Sequence, residues 1–190
     1  PSFIKDTTDF LNRIEGIPWQ PGYYMATVDV ISLYTAINHE HGIQAVKHFL
    51  RSRAINLLEH SNMLIEMLEF CLKHNVFLFD GNFYWQQQGT AMGTSLAPTY
   101  ANLMMGWWEE THVWIDDNQE ALEHVILWIR FIDDLFIIWD GEKTELEKFI
   151  QDLDNVNLNL LFTHEISNES ISFLDTEVFV ENMTLCSRLY

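Results

Sequence analysis

Two adjacent carboxylates, Asp133 and Asp134, stand between apolar runs in Arg130-Phe131-Ile132-Asp133-Asp134-Leu135-Phe136-Ile137-Ile138-Trp139. A third, Asp29, is set in the apolar stretch Ala26-Thr27-Val28-Asp29-Val30. Alone, the Asp pair reads equally well as a plain turn, because Asp suits turns and turns face water. Three converging carboxylates, however, repel one another unless a cation sits among them. Mg²⁺ is the expected cation, since it takes hard oxygen ligands.

The elements that must position these groups follow from pattern. Val125 to Ile132 and Leu135 to Trp139 are rich in β-branched and aromatic residues and predict the two strands of a hairpin, with the Asp pair at its tip. Tyr23 to Val30 predicts a strand buried on both faces, carrying Asp29 near its C-terminal end. A carboxylate there belongs to a site, because an unpaired buried charge is too costly to keep. Before it, Asp6 to Ile14 predicts a short helix capped by Asp6 or Thr7, then a loop marked by Gly16, Pro18, Pro21 and Gly22.

After Gly42 the pattern predicts a helix over about Ile43 to Arg53 and a second over Ser61 to His74. In the second, Met63, Leu64, Met67, Leu68 and Cys71 form the expected core stripe. Asp80-Gly81, between Val76–Phe79 and Asn82–Gln86, is a type I′ hairpin signal. Gln86 to Pro98 opens a long helix to about Ile115, with Pro98 in its first turn. Two glycines around Met92 let the backbone approach something closely. Glu142 to Leu153 predicts an exposed acidic helix, Leu158 to Ile166 and Ile171 to Val180 strands, and Thr184 to Tyr190 a third. The resulting β-α-β-β-α-β order is that of an α+β, ferredoxin-like (split βαβ) antiparallel sheet, with helices expected on one face. It places Asp29 and the Asp133-Asp134 tip on adjacent central strands at the same end of the sheet.

Composition fits a single domain of 190 residues with 48% apolar content, enough for a sizeable core. Cys71 and Cys186 make no disulfide framework; both are expected in the core, in a reducing intracellular compartment. No run approaches the roughly 18 apolar residues of a membrane span, and no signal-peptide pattern is present. Asn168-Glu169-Ser170 and Asn182-Met183-Thr184 match the glycosylation sequon by chance. The net charge of −18 is the wrong sign for an independent nucleic-acid binder.

An Asp at a strand end, a glycine-rich turn opening a helix, and a Phe-x-Asp-Asp hairpin, in that order, resemble the palm of template-directed polymerases, reverse transcriptases in particular. Asp29-Val30-Ile31-Ser32-Leu33-Tyr34-Thr35 looks like their first palm motif, and Gln88-Gly89-Thr90-Ala91-Met92-Gly93 with Pro98 like the second. Phe131-Ile132-Asp133-Asp134 looks like the third. Ser-Leu-Tyr-Thr after Asp29, Gly-Thr-Ala-Met-Gly-Thr, Ala-Pro-x-Tyr-Ala-Asn and Phe173-Leu174-Asp175 are together similar to Penelope-like retroelement reverse transcriptases, the group nearest telomerase. The resemblance implies two-metal nucleotidyl transfer from a dNTP to a primer 3′-hydroxyl. Asp29, Asp133 and Asp134 would be the catalytic ligands of two Mg²⁺ (Mn²⁺ a possible substitute), with the Val30 carbonyl helping.

It further implies that Tyr34 lies under the sugar and excludes a ribose 2′-hydroxyl, the alternative being a core tyrosine. Gln88 and Gly89 would face the nucleotide and templating base, with Met92 and Gly93 in the same substrate-binding set; a simple helix-entry loop is the alternative. The implied partners are an RNA or DNA template with primer, and dNTP, in a longer parent of nuclear location, with no membrane. Residues 35–88 would contribute part of the fingers. The upstream fingers strands and a downstream thumb are expected to be absent, leaving this acidic chain a weak nucleic-acid binder. Downstream of Asp134 the only lysines are Lys143 and Lys148, so a general acid for pyrophosphate is unassigned. A non-catalytic palm remnant acting as an interaction or scaffold module is the competing reading. An RNA polymerase palm is disfavoured by Tyr34 and by Phe131-Ile132 preceding the Asp pair.

Overall fold

A computed structural model describes residues 2–53, 59–154 and 158–190. The chain divides into two compact units, one of Pro1–Val30, Trp114–Asn155 and Leu161–Tyr190, the other of Ile31–Val113 and Val156–Leu160. The elements run α1 (Thr7–Ile14), β1 (Tyr24–Val30), α2 (Leu33–Ala36), α3 (His39–Arg53), α4 (Ser61–Lys73), β2 (Val76–Phe79), β3 (Asn82–Trp85) and α5 (Ala97–Trp108). Then come α6 (Gln119–Leu122), β4 (Val125–Phe131), β5 (Asp134–Trp139), α7 (Lys143–Asp154), β6 (Phe162–Ser167), β7 (Ser170–Phe173), β8 (Thr176–Glu181) and β9 (Thr184–Leu189).

In the first unit β4-β5-β1-β6 form one sheet whose neighbours are all antiparallel. The long apolar runs of β4 and β5 leave both faces of this sheet needing cover. Strand alternation puts Met25, Phe136 and Ile138 on one face. Phe10 of α1 packs edge-on against Phe136 there, at 5.0 Å between ring centroids, and Phe173 of β7 packs beside them. The other face carries Trp128 and Trp139, against which Phe149 of α7 stacks. Helices therefore lie on both faces, not one. For the same reason α7 is no wholly exposed acidic helix: Leu146, Phe149, Ile150 and Leu153 are buried along one side.

The α1 start follows its sequence signal, the Asp6 carboxylate accepting from the Asp9 amide at 2.9 Å. Other boundaries move. β6 begins at Phe162, because Leu158 and Asn159 make a turn with Asn159 at φ +59°. The run Ile171 to Val180 is broken into β7 and β8 by a turn at Leu174-Asp175, with Leu174 at φ +52°.

In the second unit α3 packs against α4 and α5. Gly42 does not precede α3 but lies inside it, where α3 crosses α5. A Cβ at Gly42 would overlap the hydroxyl and ring of Tyr100, which is 1% exposed. Gly42 is thus spent on close approach of two helices, not on a break. In α4 the buried residues are Ile65, Leu68 and Leu72, while Met63 and Met67 are exposed, so the expected core stripe is rotated. The helix is apolar around most of its circumference, and periodicity cannot choose a face in such a case. Cys71, on the open side, is exposed and Cys186 is half-buried, which corrects their expected core placement. Asp80 and Gly81 both have positive φ, +48° and +74°, as a type I′ turn requires. The long helix ends at Trp108 and runs on as a π-turn over Glu109–Val113, short of Ile115. No helix among the described residues is long and apolar enough to cross a membrane.

Gly42→Ala should lower stability by about 1–3 kcal/mol through overpacking, and Tyr100→Phe in that background should recover part of it by removing the overlapped oxygen. Urea melts of the unmodified chain and the two variants measure this; an unchanged midpoint for Gly42→Ala would mean that the helices have room to separate.

Candidate active site

Backbone pairing in the first unit decides where the three carboxylates stand. β1 and β5 are the two central strands, with Met25 opposite Ile138 and Val28 opposite Leu135. One further antiparallel step sets Asp29 beside Asp134. On its other side Asp29 pairs with Thr163 of β6. The β4–β5 hairpin turns on Ile132 and Asp133, and Asp134 is already the first residue of β5, paired with Phe131. The tip is therefore Ile132-Asp133, one residue earlier than an Asp-Asp tip.

Ile132 sits at φ +54°, a conformation that β-branched side chains rarely adopt. Such strain costs on the order of 1–3 kcal/mol and persists only where the surroundings over-determine it. Arg130 supplies part of that constraint. It is 3% exposed, and its Nη1 donates to the Ile132 carbonyl at 3.0 Å. Its amide donates to the Ser2 carbonyl and its carbonyl accepts from the Ile4 amide, both at 2.9 Å. Neither the strain nor this role of Arg130 was visible in the sequence, because a basic residue before Phe-x-Asp-Asp reads as strand surface.

All three carboxyls bind protons more tightly than usual. Burial raises Asp134 most, with added repulsion from Asp133 and Asp29, to about 6. Asp133 is raised by burial and by Asp29, against the lowering effect of its own backbone N–H. Asp29 is raised by partial burial, offset in part by the Val30 N–H that donates to it. Asp29 itself is exposed in the strand end, which corrects the expectation of burial on both faces there. No ion pair among the described residues engages any of the three.

An open cleft of about 290 Å³ includes Asp29 and Asp134. Alternation across the paired strands sets Thr27, Asp29, Thr163 and Glu165 on one face. Glu165 is an acidic neighbour that sequence reading missed; the signal was the polar alternation of Thr163 and Glu165, meaningless until the pairing register was known. Among the described residues no three His, Cys, Asp or Glu side chains form a ready-made metal cage. That does not conflict with Mg²⁺, which is held by one or two carboxylates plus waters and substrate phosphates. The donor set of unpaired, mutually repelling carboxylates fits such an ion.

The second unit holds the other predicted residues, and the structure brings two of their segments together. The Thr90 amide donates to the Tyr34 carbonyl at 2.7 Å, the Gly89 amide to the Ile37 carbonyl at 2.9 Å, and Gln88 Nε2 to the Ala36 carbonyl at 2.6 Å. His39 Nε2 lies 2.7 Å from the Gly89 carbonyl oxygen. Gly89 has φ +73°, and a Cβ there would press on the backbone of Tyr34 and Thr35. Only glycine fits. Tyr34 is half-buried, Met92 is 69% exposed, and Gly93, at φ +93°, has open space where a Cβ would point.

No model of a known protein family matches the chain, nor does any curated protein sequence. Solved structures do. The apo telomerase of Candida tropicalis truncated of its C-terminal domain superposes with TM-score 0.72 at 16% identity, over 98% of this chain and 41% of that one. The telomerase of Candida albicans, in complex with a TWJ fragment of telomeric RNA, gives 0.75 at 11% identity, over 97% of this chain and 35% of that one. The BmCPV RNA-dependent RNA polymerase at its elongation state gives 0.63 at 11% identity, over 93% and 17%. The chain thus has a polymerase-type fold of mixed helix and antiparallel sheet, and spans less than half the length of these neighbours.

Asp134→Asn should raise stability at neutral pH by about 1–2 kcal/mol, allowing for solvent screening of a partly exposed group. The sign follows from linkage. A carboxyl raised from 3.8 to about 6 favours the fold while protonated and loses that contribution as pH rises through 6. The variant's advantage should therefore be full above about pH 6 and vanish below about pH 4, read from urea midpoints across pH. An advantage that is flat with pH would show that ionisation of a partly buried Asp134 is not its source.

Proposed function

We propose that the chain is the catalytic palm of an RNA-directed DNA polymerase, near Penelope-like reverse transcriptases in kind, transferring a nucleotide from a dNTP to a primer 3′-hydroxyl. The observation that carries the reading is the gathering of Asp29, Asp133 and Asp134 at one end of the two central strands of a polymerase-type fold. The strand order β4-β5-β1-β6 supports a split-βαβ description of that sheet. The template, primer and dNTP are the partners this reading implies, in a longer parent.

In the transfer, the 3′-hydroxyl gives up its proton to solvent, its oxygen bonds to the α-phosphorus, the bond to the bridging oxygen breaks, and pyrophosphate leaves with the bonding electron pair. Asp29 and Asp133 would hold the ions through carboxylate oxygens, with Asp134 and the Val30 carbonyl beside them. Bound Mg²⁺ supplies the positive charge that stabilises the attacking and leaving oxygens. The protein's own part is positioning: the Val30 N–H holds the Asp29 carboxylate, and the Arg130 contact to the Ile132 carbonyl pins the hairpin tip that carries Asp133. On this reading Tyr34 crowds a 2′-hydroxyl and selects deoxynucleotides. Its carbonyl bond to Thr90 ties its backbone to the glycine turn.

One observation favours a second reading, a palm remnant that serves as an interaction module: the charge of −18 repels nucleic acid. Mn²⁺ titration by electron paramagnetic resonance separates the two. The unmodified chain should bind Mn²⁺ and Asp133→Asn should lose that binding, whereas no binding, or equal binding by the variant, rules out the catalytic reading. Primer extension by the 190-residue chain on an RNA template at low salt should stay near the Asp133→Asn background, because phosphate affinity comes mainly from cations. In an active longer parent, Tyr34→Ala should raise ribonucleotide relative to deoxyribonucleotide incorporation severalfold; unchanged discrimination returns Tyr34 to the core.

A further inference from the structure

Exposed apolar side chains are not scattered over this chain. Met63, Met67 and Phe70 line the open side of α4, spaced at helical intervals, and each is more than half exposed. All four residues of β2 and all four of β3 are exposed, on both faces of the hairpin. Phe79 is 68% exposed and Phe83 78%. His74 joins the two elements, its ring 4.1 Å from that of Phe70 and 6.1 Å from that of Trp85. A contiguous apolar surface of this kind marks an interaction site. A two-stranded hairpin with neither face covered is also marginal by itself, and β2 and β3 pair with nothing but each other among the described residues, leaving two open strand edges.

Charge selects the occupant. From Glu59 to Gln88 the chain carries Glu59, Glu66, Glu69 and Asp80 against a single lysine, Lys73, which is bound to Glu69 at 3.3 Å. The apolar surface is thus rimmed by net negative charge. A second copy brings the same rim and a further −18, so electrostatics oppose self-pairing, and an anionic lipid surface is opposed likewise. The chain's own densest basic run, Lys47 to Arg53, is folded into α3 and so is not free to add as an extended strand.

We infer that the β2–β3 hairpin and the open side of α4 dock a basic polypeptide from another protein, an extended segment alternating Lys or Arg with aromatic or β-branched residues. Its backbone adds a strand to an open hairpin edge. Its apolar side chains cover the Phe77–Phe83 surface and Met67, and its cations face Glu66, Glu69 and Asp80.

The probe is a labelled ten-residue peptide of alternating Lys and Val or Phe, read by fluorescence anisotropy at moderate salt. Two controls accompany it, one with Glu in place of Lys and one with Ser in place of the apolar residues. The alternating basic peptide should bind at least about tenfold tighter than either control, as expected when charge steers and apolar burial holds. Phe83→Ser and, separately, Met67→Ser should each weaken it severalfold. Met67 is exposed mid-helix, so its variant reports on the surface even if the hairpin variant loses its fold. Hydrogen exchange should slow at the β2 or β3 amides on binding. Equal binding of the basic Ser-containing control overturns the inference, since only diffuse charge would then be at work. So does binding that neither variant weakens. A dimer in sedimentation that Met67→Ser dissociates, or binding to anionic vesicles in place of the peptide, likewise assigns the surface to another occupant.

Discussion

Holding Asp29, Asp133 and Asp134 together at one strand end, against desolvation first and like-charge repulsion second, is the constraint around which the first unit is arranged. Each carboxyl is pushed toward its neutral form by burial, and Asp133 and Asp134 also by Asp29. Nothing local to these residues would hold them together. What does so is the register of β1 against β5, a ladder whose side chains bury Met25, Val28, Leu135, Ile137 and Ile138 to within a few per cent of full enclosure. Apolar burial on both faces of the sheet therefore opposes the electrostatic cost at its end. The cost is concentrated in one place, beside the strained Ile132, as expected where a fold departs from local rules for the sake of a site.

The same logic applies to Arg130. A guanidinium nearly sealed from solvent is costly unless its donors are engaged. Here it meets the carbonyl of the strained residue two positions on, while its own backbone pairs with Ser2 and Ile4. Arg130 thus constrains how rigidly the hairpin tip presents Asp133. The acidic cleft extends this pattern: Glu165, on the face that carries Asp29, adds negative charge where Arg or Lys would serve a phosphate.

The second unit shows a different kind of local departure. Its interior is closely matched, to the point that Gly42 and Gly89 have no room for a methyl group. Its β2–β3 hairpin is apolar yet uncovered. Tight interior packing and an open apolar surface in one small unit are both natural if the interior specifies the fold and the surface is kept for a second chain.

Much of the fold is legible in the sequence. The Asp6 cap, the Asp80-Gly81 turn, the β4–β5 hairpin and the adjacency of Asp29 to the Asp133-Asp134 strand all follow from patterns of period two, turn chemistry and caps, which act within a few residues. The glycine of Gln88-Gly89 was legible as a close approach, though its partner, the backbone of Tyr34 and Thr35, was not. What escaped was decided between elements distant in the chain. The buried side of α4 depended on where α3 packs against it, since Met63 and Ile65 are both apolar. The place of Gly42 inside α3 depended on Tyr100 of α5. The cover on both faces of the sheet depended on Phe10 and Phe149 arriving from opposite ends of the chain. Glu165 entered the cleft only once β6 had paired with β1 in a register that sets Thr163 opposite Asp29. The amino-acid order alone determined most of the longer helices and strands and the adjacency of Asp29 to the Asp133-Asp134 strand; the tertiary structure decided which face each element buries, because burial is a choice among neighbours that local pattern does not encode.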